Sequence, residues 1–227
     1  MTDQSSPRRY VAFDLETVRD LSVDWEPKSE DKTFPPPAAH EIICGAFVSF
    51  DVHGVSNATV VAAEVPTLDR MALELRSQPC FVTYNGRGFD FPVLVSRALK
   101  HEVTLPRYFG KYGPRYRYGS EHIDLLDQLS DYGAAPRISL KTAASLVGLR
   151  AKTAVDGSDV ETLVEQDRFD EVLAYCLQDA VITAALGMRF LLTSGSWTEQ
   201  IYARPAAGLR DRIEVDERLA PLRGHSF

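Results

Sequence analysis

The sequence predicts an α/β protein, a mixed β-sheet with flanking helices in a single domain. Three observations carry that expectation. Short apolar, β-branched runs crowd the first part of the chain, helical spacing governs the part beyond Gly119, and no internal repeat divides the two. With 227 residues, 44% of them hydrophobic and 25% charged, one core should bury about 70–75% of the unfolded surface. The 13 Pro and 14 Gly are scattered, which excludes a disordered or collagen-like chain.

Tyr10 to Phe13, then Leu15, reads as a first strand. Arg19 to Ala38, with Asp20, Asp24, Glu26, Glu30, Asp31 and the triplet Pro35 to Pro37, holds no regular pattern and reads as an excursion loop. Glu41 to Phe50 and Ala58 to Val65 form a hairpin around the turn-like Asp51 to Asn57, pairing onto the first strand. Thr67 to Arg76 places Leu68, Met71, Ala72 and Leu75 on one helical face, and Cys80 to Tyr84 returns as a fourth strand. Phe91 to Lys100 is a helix that admits Pro92 in its first turn. A second irregular stretch, Thr104 to Gly119, precedes helices over Ile123 to Leu129, Leu140 to Val147 and Arg168 to Leu192, with Ser139 as an N-cap and Gly148 as a stop. Residues 1–9 are expected to be flexible, 10–195 to form the domain, and 196–227 to be a peripheral segment, loosely packed from Ala203.

No apolar stretch approaches the ~20 residues that cross a bilayer, and the polar N-terminus lacks a signal-peptide core. A soluble, cytoplasmic protein without a membrane partner is expected. Cys44, Cys80 and Cys176 are odd in number, far apart and set among apolar neighbours, so they read as reduced core residues, leaving neither a disulfide framework nor a cysteine zinc site. His40, His53, His101 and His225 show no ligand spacing, and P-loop, Gly-x-Ser-x-Gly and His-Glu-x-x-His motifs are absent. A net charge of −7 argues at first against a nucleic-acid partner.

Where the acids lie answers that objection. The first strand ends in FDLET, so Asp14 and Glu16, two apart, leave the same face and repel one another unless a cation lies between them. A decoy, Asp24-Trp25-Glu26, sits in a polar loop where water suffices. Immediately after the CFVTY strand comes Asn85-Gly86-Arg87-Gly88-Phe89-Asp90, whose glycines allow a tight turn close to a ligand; Asp90 is either a site residue or a helix N-cap. In the last long helix, Tyr175 and Asp179 are four apart and share a face. Strands 1 and 4 plus a crossing helix can bring the four carboxylates together, and such hard oxygen ligands select Mg²⁺ or Mn²⁺. Two ions, ~3.5–4 Å apart, suit phosphoryl chemistry. They would cancel −4 of the formal −7. Asp124 and Asp127 read as helix-start acids, with His122-Ile123-Asp124 opening that helix.

From Arg107 to Tyr118, Arg107, Lys111, Arg115 and Arg117 alternate with Tyr108, Phe109, Tyr112, Tyr116 and Tyr118, uninterrupted by acids. Cations for a backbone and rings for base stacking suit single-strand recognition. A Tyr-rich loop packed on its own body is the alternative.

FDLET, NGRGFD and YCLQD, in this order, resemble the three motifs of the DEDD superfamily of 3′→5′ exonucleases, most closely the proofreading exonuclease domain of family-B DNA polymerases and its stand-alone relatives. The resemblance covers roughly Tyr10 to Leu192 and implies a ribonuclease H-like fold. It implies that Asp14, Glu16, Asp90 and Asp179 are catalytic metal-site acids for two Mg²⁺ or Mn²⁺ ions and that Tyr175 positions the attacking water. The position five before Asp179 is Ala174 rather than His, which favours the tyrosine subclass. Thr17, Asn85 and Phe89 would hold a single-stranded 3′ end, and Lys141 would contact phosphate. No polymerase region follows the motifs, and the 107–118 segment has no counterpart to carry over.

The implied activity is 3′→5′ hydrolysis of single-stranded DNA, in a DNA-repair setting. The same chemistry on RNA is the near alternative, since nothing in the motifs addresses a 2′-hydroxyl. A non-catalytic binding module would have no reason to keep mutually repelling carboxylates. Protein partners are not addressed by the sequence.

Overall fold

The computed structural model describes residues 7–27, 34–149, 159–224 and 227. Most of the expected flexible N-terminus, part of the excursion loop (28–33) and His225 lie outside the described residues.

Five strands form one mixed sheet in the order β3-β2-β1-β4-β5. They are β1 (Tyr10–Arg19), β2 (His40–Asp51), β3 (Gly54–Ala62), β4 (Cys80–Thr83) and β5 (His122–Asp124). β2 runs antiparallel to both of its neighbours, β1 and β3, while β1, β4 and β5 are mutually parallel. The helices are α1 (Glu64–Arg76), α2 (Asp90–Lys100), α3 (Pro106–Phe109), α4 (Leu125–Leu129), α5 (Leu140–Leu146), α6 (Val160–Glu165), α7 (Phe169–Thr193) and α8 (Glu199–Val215).

Strand alternation sorts β1 between two cores. Val11, Phe13 and Leu15 pack with α1 and α2, through Leu68, Met71, Phe91 and Leu94. Tyr10 and Ala12 face the opposite way, into a cluster with α7 and α8. Asp14 and Glu16 continue that second face toward α7, where a wholly apolar strand would place two more core side chains. Opposite them on β2 stand the small residues Ala46 and Cys44, and the register shifts immediately after Glu16. Close approach of α7 is secured further along by Gly187, where a Cβ would collide with Val82.

The structure corrects several expectations. The hairpin turns at Val52–His53, because Gly54 to Asn57 pair with β2. The second hairpin strand stops at Ala62, since helix α1 begins two residues later, at Glu64. His122 to Asp124 do not open a helix: they add a fifth strand parallel to β4, too short and too polar to show a strand period. The irregular stretch before it contains the short helix α3. The segment beyond Ala203 is not loosely packed, because α8 lies against β3 and α7 with Leu209 and Ile213 buried, and Leu219 and Leu222 follow them into the core. Trp197 pins this arm by packing edge-on against Tyr10 and Phe50. Finally, α7 is long and apolar enough to cross a membrane, with mean hydropathy 1.3 over its most apolar window; 72% of that window is buried in the fold.

Ser139 caps α5 as expected, accepting from Thr142 N–H, and Gly148 ends it in a left-handed conformation, φ 79°.

Leaving the sheet, β1 is tied down by a buried ion network. Arg97 of α2 pairs with Glu64 at 2.6 Å and with Asp20 at 2.5 Å, and Lys100 reaches the same Asp20 carboxylate at 2.7 Å. Glu64 also accepts from Ile42 N–H of β2. These bonds hold Asp20 well below the ordinary carboxylate range and lower Glu64 as well, in both cases against the opposing effect of burial.

Candidate active site

Because β1, β4 and β5 are parallel, their carboxyl ends open on one edge of the sheet. Asp14 and Glu16 lie midway along β1, just beyond its pairing with β4, the NGRG turn leaves β4 there, and Asp124 ends β5. The helix α7 crosses β1, and its Cys176 Sγ–H donates to the Asp14 backbone carbonyl at 3.5 Å. One turn of that helix carries Tyr175, Cys176 and Asp179 to the same face.

Asp14, Glu16, Asp90, Asp179 and Tyr175 act on one another electrostatically, which puts them in one neighbourhood. Asp14 is half-buried, while Glu16 and Asp90 are only 7% and 5% exposed. Burial is the largest force raising the pKa of Asp14, followed by the charges of Asp90, Glu16 and Asp179. Glu16 is raised by burial and then chiefly by Asp179. Asp90 is pushed up to about 7 by burial and by neighbouring Asp124, although it accepts from its own N–H and from Leu15 N–H. Tyr175 is raised far above its ordinary value by burial, by Asp179, Glu16 and Asp14, and by donating its O–H to Asp179. Four crowded carboxylates, each raising another's proton affinity, form a site that a divalent cation would relieve. Ligand atoms of Asp14, Glu16 and Cys176 all lie within 4.8 Å of one another. Cys44, opposite Glu16, is the thiol's buried neighbour.

The sign of that strain can be measured. Asp90's folded pKa lies above its unfolded value near 3.9, so its contribution is neutral below that value and turns unfavourable as pH rises from there to about 7. Metal-free Asp90→Asn protein is therefore expected to melt increasingly above the parent from pH 4.5 to about 7 and by a constant margin beyond, and Mn²⁺ to raise the parent's melting temperature more than the variant's. Calorimetric scans across that range check both.

The second motif's turn is built differently from the expectation. The left-handed residue is Asn85, φ 66°, a conformation that Asn tolerates; Gly86 and Gly88 are required because a Cβ would collide with Thr83 and with the Asn85 side chain. Asp124 accepts from Asn85 N–H at 2.9 Å and Arg87 N–H at 2.8 Å, and it also caps α4. Its reading as a helix-start acid holds but is incomplete.

Thr17 and Phe89 meet through a residue that the sequence reading passed over. His40 Nε2–H donates to Pro35 O at 3.1 Å, so Nδ1 is left to accept from Thr17 Oγ1 at 3.0 Å. Burial lowers its pKa and keeps the ring neutral. Phe89 packs edge-on against His40, with Phe34 beside both. Nothing in the spacing of His40 signals this role, since it is joined to Thr17 across the β1–β2 pairing.

Lys141 is exposed on α5, apart from these contacts. Arg115 lies over the Phe109 ring, and Arg117 pairs with Asp127 at 3.2 Å and lies over Tyr132. Much of the basic, aromatic segment is satisfied on its own body, since Arg107 pairs with Glu121 and Tyr108 stacks on Phe91. Tyr112, Tyr116 and Tyr118 remain exposed, the last by 83%.

Residues 33–223 match the family described as "Predicted 3'-5' exonuclease related to the exonuclease domain of PolB". DNA polymerase 1 of Pyrococcus abyssi is 26% identical over 144 residues, which is 58% of this chain and 19% of the polymerase. The solved family B DNA polymerase of the hyperthermophilic archaeon Pyrobaculum calidifontis is similar over 90% of this chain and 28% of its own, with 21% identity and a TM-score of 0.60. That likeness shows the fold to be ribonuclease H-like. This chain thus spans less than a third of either polymerase.

Proposed function

Because the chain belongs to the family of predicted 3′–5′ exonucleases related to the exonuclease domain of PolB, we propose that it is a 3′→5′ exonuclease removing nucleotides from single-stranded DNA with two divalent cations. The observation that supports this most directly is the convergence of Asp14, Glu16, Asp90 and Asp179, from two strand ends and a helix, into one strained site. A binding module gains nothing from that arrangement, which raises the proton affinity of its own acids.

Asp14, Glu16 and Asp179 would hold one ion, and Asp14 with Asp90 a second. Hard carboxylate oxygens favour Mg²⁺ or Mn²⁺. When bound, the ions would polarise the scissile phosphate, activate water and stabilise the leaving 3′ oxygen. The chain's own residues do the rest. Tyr175 stays protonated at neutral pH and is held by Asp179, so its phenol orients the attacking water and does not take its proton. Asn85 and the Thr17–His40–Phe89 group offer a polar and aromatic seat for a terminal nucleotide. The relatives named above are DNA polymerases, which favours DNA over RNA.

Matched DNA and RNA oligonucleotides, labelled at either end, test this directly. Release of mononucleotides from the 3′ end of DNA, dependent on added Mg²⁺ or Mn²⁺, is expected. No release under any metal, or faster release from RNA, overturns the reading or its substrate.

The 107–118 segment is proposed to carry the strand leading to the site, through Lys111, Arg115, Arg117 and the exposed tyrosines. Replacing Arg115 and Arg117 together with Ala should weaken single-strand binding and reduce the slope of log affinity against log salt by up to ~1.4, at ~0.7 per phosphate contact. An unchanged slope in anisotropy titrations would mean the loop serves only the fold.

A further inference from the structure

Resting on the exonuclease reading, we infer that Asp124 is a positioning residue of the active site, its buried carboxylate fixing the Asn85–Gly88 turn and thereby setting Asn85 and Asp90 against β1. Asp124 is 2% exposed and ends β5, where it stands beside Thr83 of β4. A helix cap needs only its bond to Leu126 N–H, at 3.1 Å. The carboxylate does more. Its Oδ1 also accepts from Asn85 N–H and its Oδ2 from Arg87 N–H, reaching 39 and 37 residues back along the chain.

Asn tolerates the left-handed conformation at Asn85, and those two bonds select it and fix the turn against the end of β5. The turn is continuous with α2, because Phe91 N–H donates to Gly86 O at 2.9 Å and Val93 N–H to Phe89 O at 2.9 Å. Asp90 therefore moves with the turn. Its carboxylate lies near the β1 acids, adding its charge to the field at Asp14 and Glu16. The Arg87 side chain reinforces the same anchorage by donating to His122 O and Pro114 O, both at 3.2 Å. Asp124 thus links the sheet to a residue proposed to hold the second cation, and its negative charge adds to the field that cation meets.

Two variants separate this role from helix capping. Asp124→Ser keeps a cap for α4 but is too short to serve the turn, and Asp124→Asn keeps one acceptor oxygen while its amide cannot accept from Arg87 N–H. Mn²⁺ binding without substrate, followed by calorimetry, is expected to weaken about tenfold or more in each, as for other groups that orient metal ligands. KM for a single-stranded oligonucleotide should rise with it, while kcat at saturating Mn²⁺ falls less. Thr198→Ala, which removes the N-cap of α8, is the control that should lower the melting temperature alone. If Asp124→Ser folds and binds Mn²⁺ as the parent does, the inference is overturned; should Asp124→Asn fail to fold, the Ser variant still decides. A parent protein that binds Mn²⁺ but releases no nucleotide would instead sink the exonuclease reading and leave this positioning role standing on the binding data.

Discussion

Asp14→Ala protein is expected to release nucleotides at least on the order of 10³-fold more slowly than the parent while remaining folded. Asp14 is the acid shared between the two proposed ions, and a metal's charge stabilisation is worth several kcal/mol, at 1.36 kcal/mol per tenfold in rate. The fold has little reason to suffer. The carboxylate is repelled by Asp90, Glu16 and Asp179 and opposed by burial, so its removal relieves strain in the metal-free state. Asp179→Ala should behave alike, and Tyr175→Phe should lose only ~10–100-fold, since it disturbs orientation without touching the ions. Initial rates on a 3′-labelled strand, with melting curves alongside, check all three. Normal turnover by Asp14→Ala would end the two-ion proposal.

Arg97→Ala is expected to have the largest effect on stability, about 3 kcal/mol, because it removes the buried cation that Asp20 and Glu64 share and leaves them only Lys100 and His101. Urea titration with a fluorescence readout measures it. The acid limb carries a second signature. Asp20's pKa is depressed, so its stabilising contribution is complete above the unfolded value near 3.9 and is lost as pH falls below it. The parent should lose stability steeply below about pH 4, and Arg97→Ala should show a shallower limb. An equally steep limb in the variant would remove Arg97 from the explanation.

The two predictions draw on opposite kinds of buried acid. Asp20 and Glu64 are buried with cations supplied by the chain, so their ionised forms are favoured. Asp14, Glu16 and Asp90 are buried against one another, with no basic side chain of the described residues among the largest forces acting on them, so their ionised forms await a cation from solution. This contrast separates an internal strut from a site that function has left strained.

How much of this was legible in the chain depends on the range of the interactions. Strand β1, the hairpin, helices α1, α2, α5 and α7, and the pairing of Asp14 with Glu16 on one face all follow from periods of two or 3.6 and from caps within a few residues. Tyr175 and Asp179 share a helical face for the same local reason. The sequence could not show that β5 is a strand, because three residues have no period, nor that the last helix is part of the core, because Trp197, Leu209 and Ile213 owe their burial to partners far away along the chain. It could not show that Asp124 holds the Asn85 turn, or that His40 joins Thr17 to Phe89, since those bonds span tens of residues and leave no spacing rule behind. Local chemistry decided which groups could react; only the parallel placement of three strand ends beneath α7 decided that they meet.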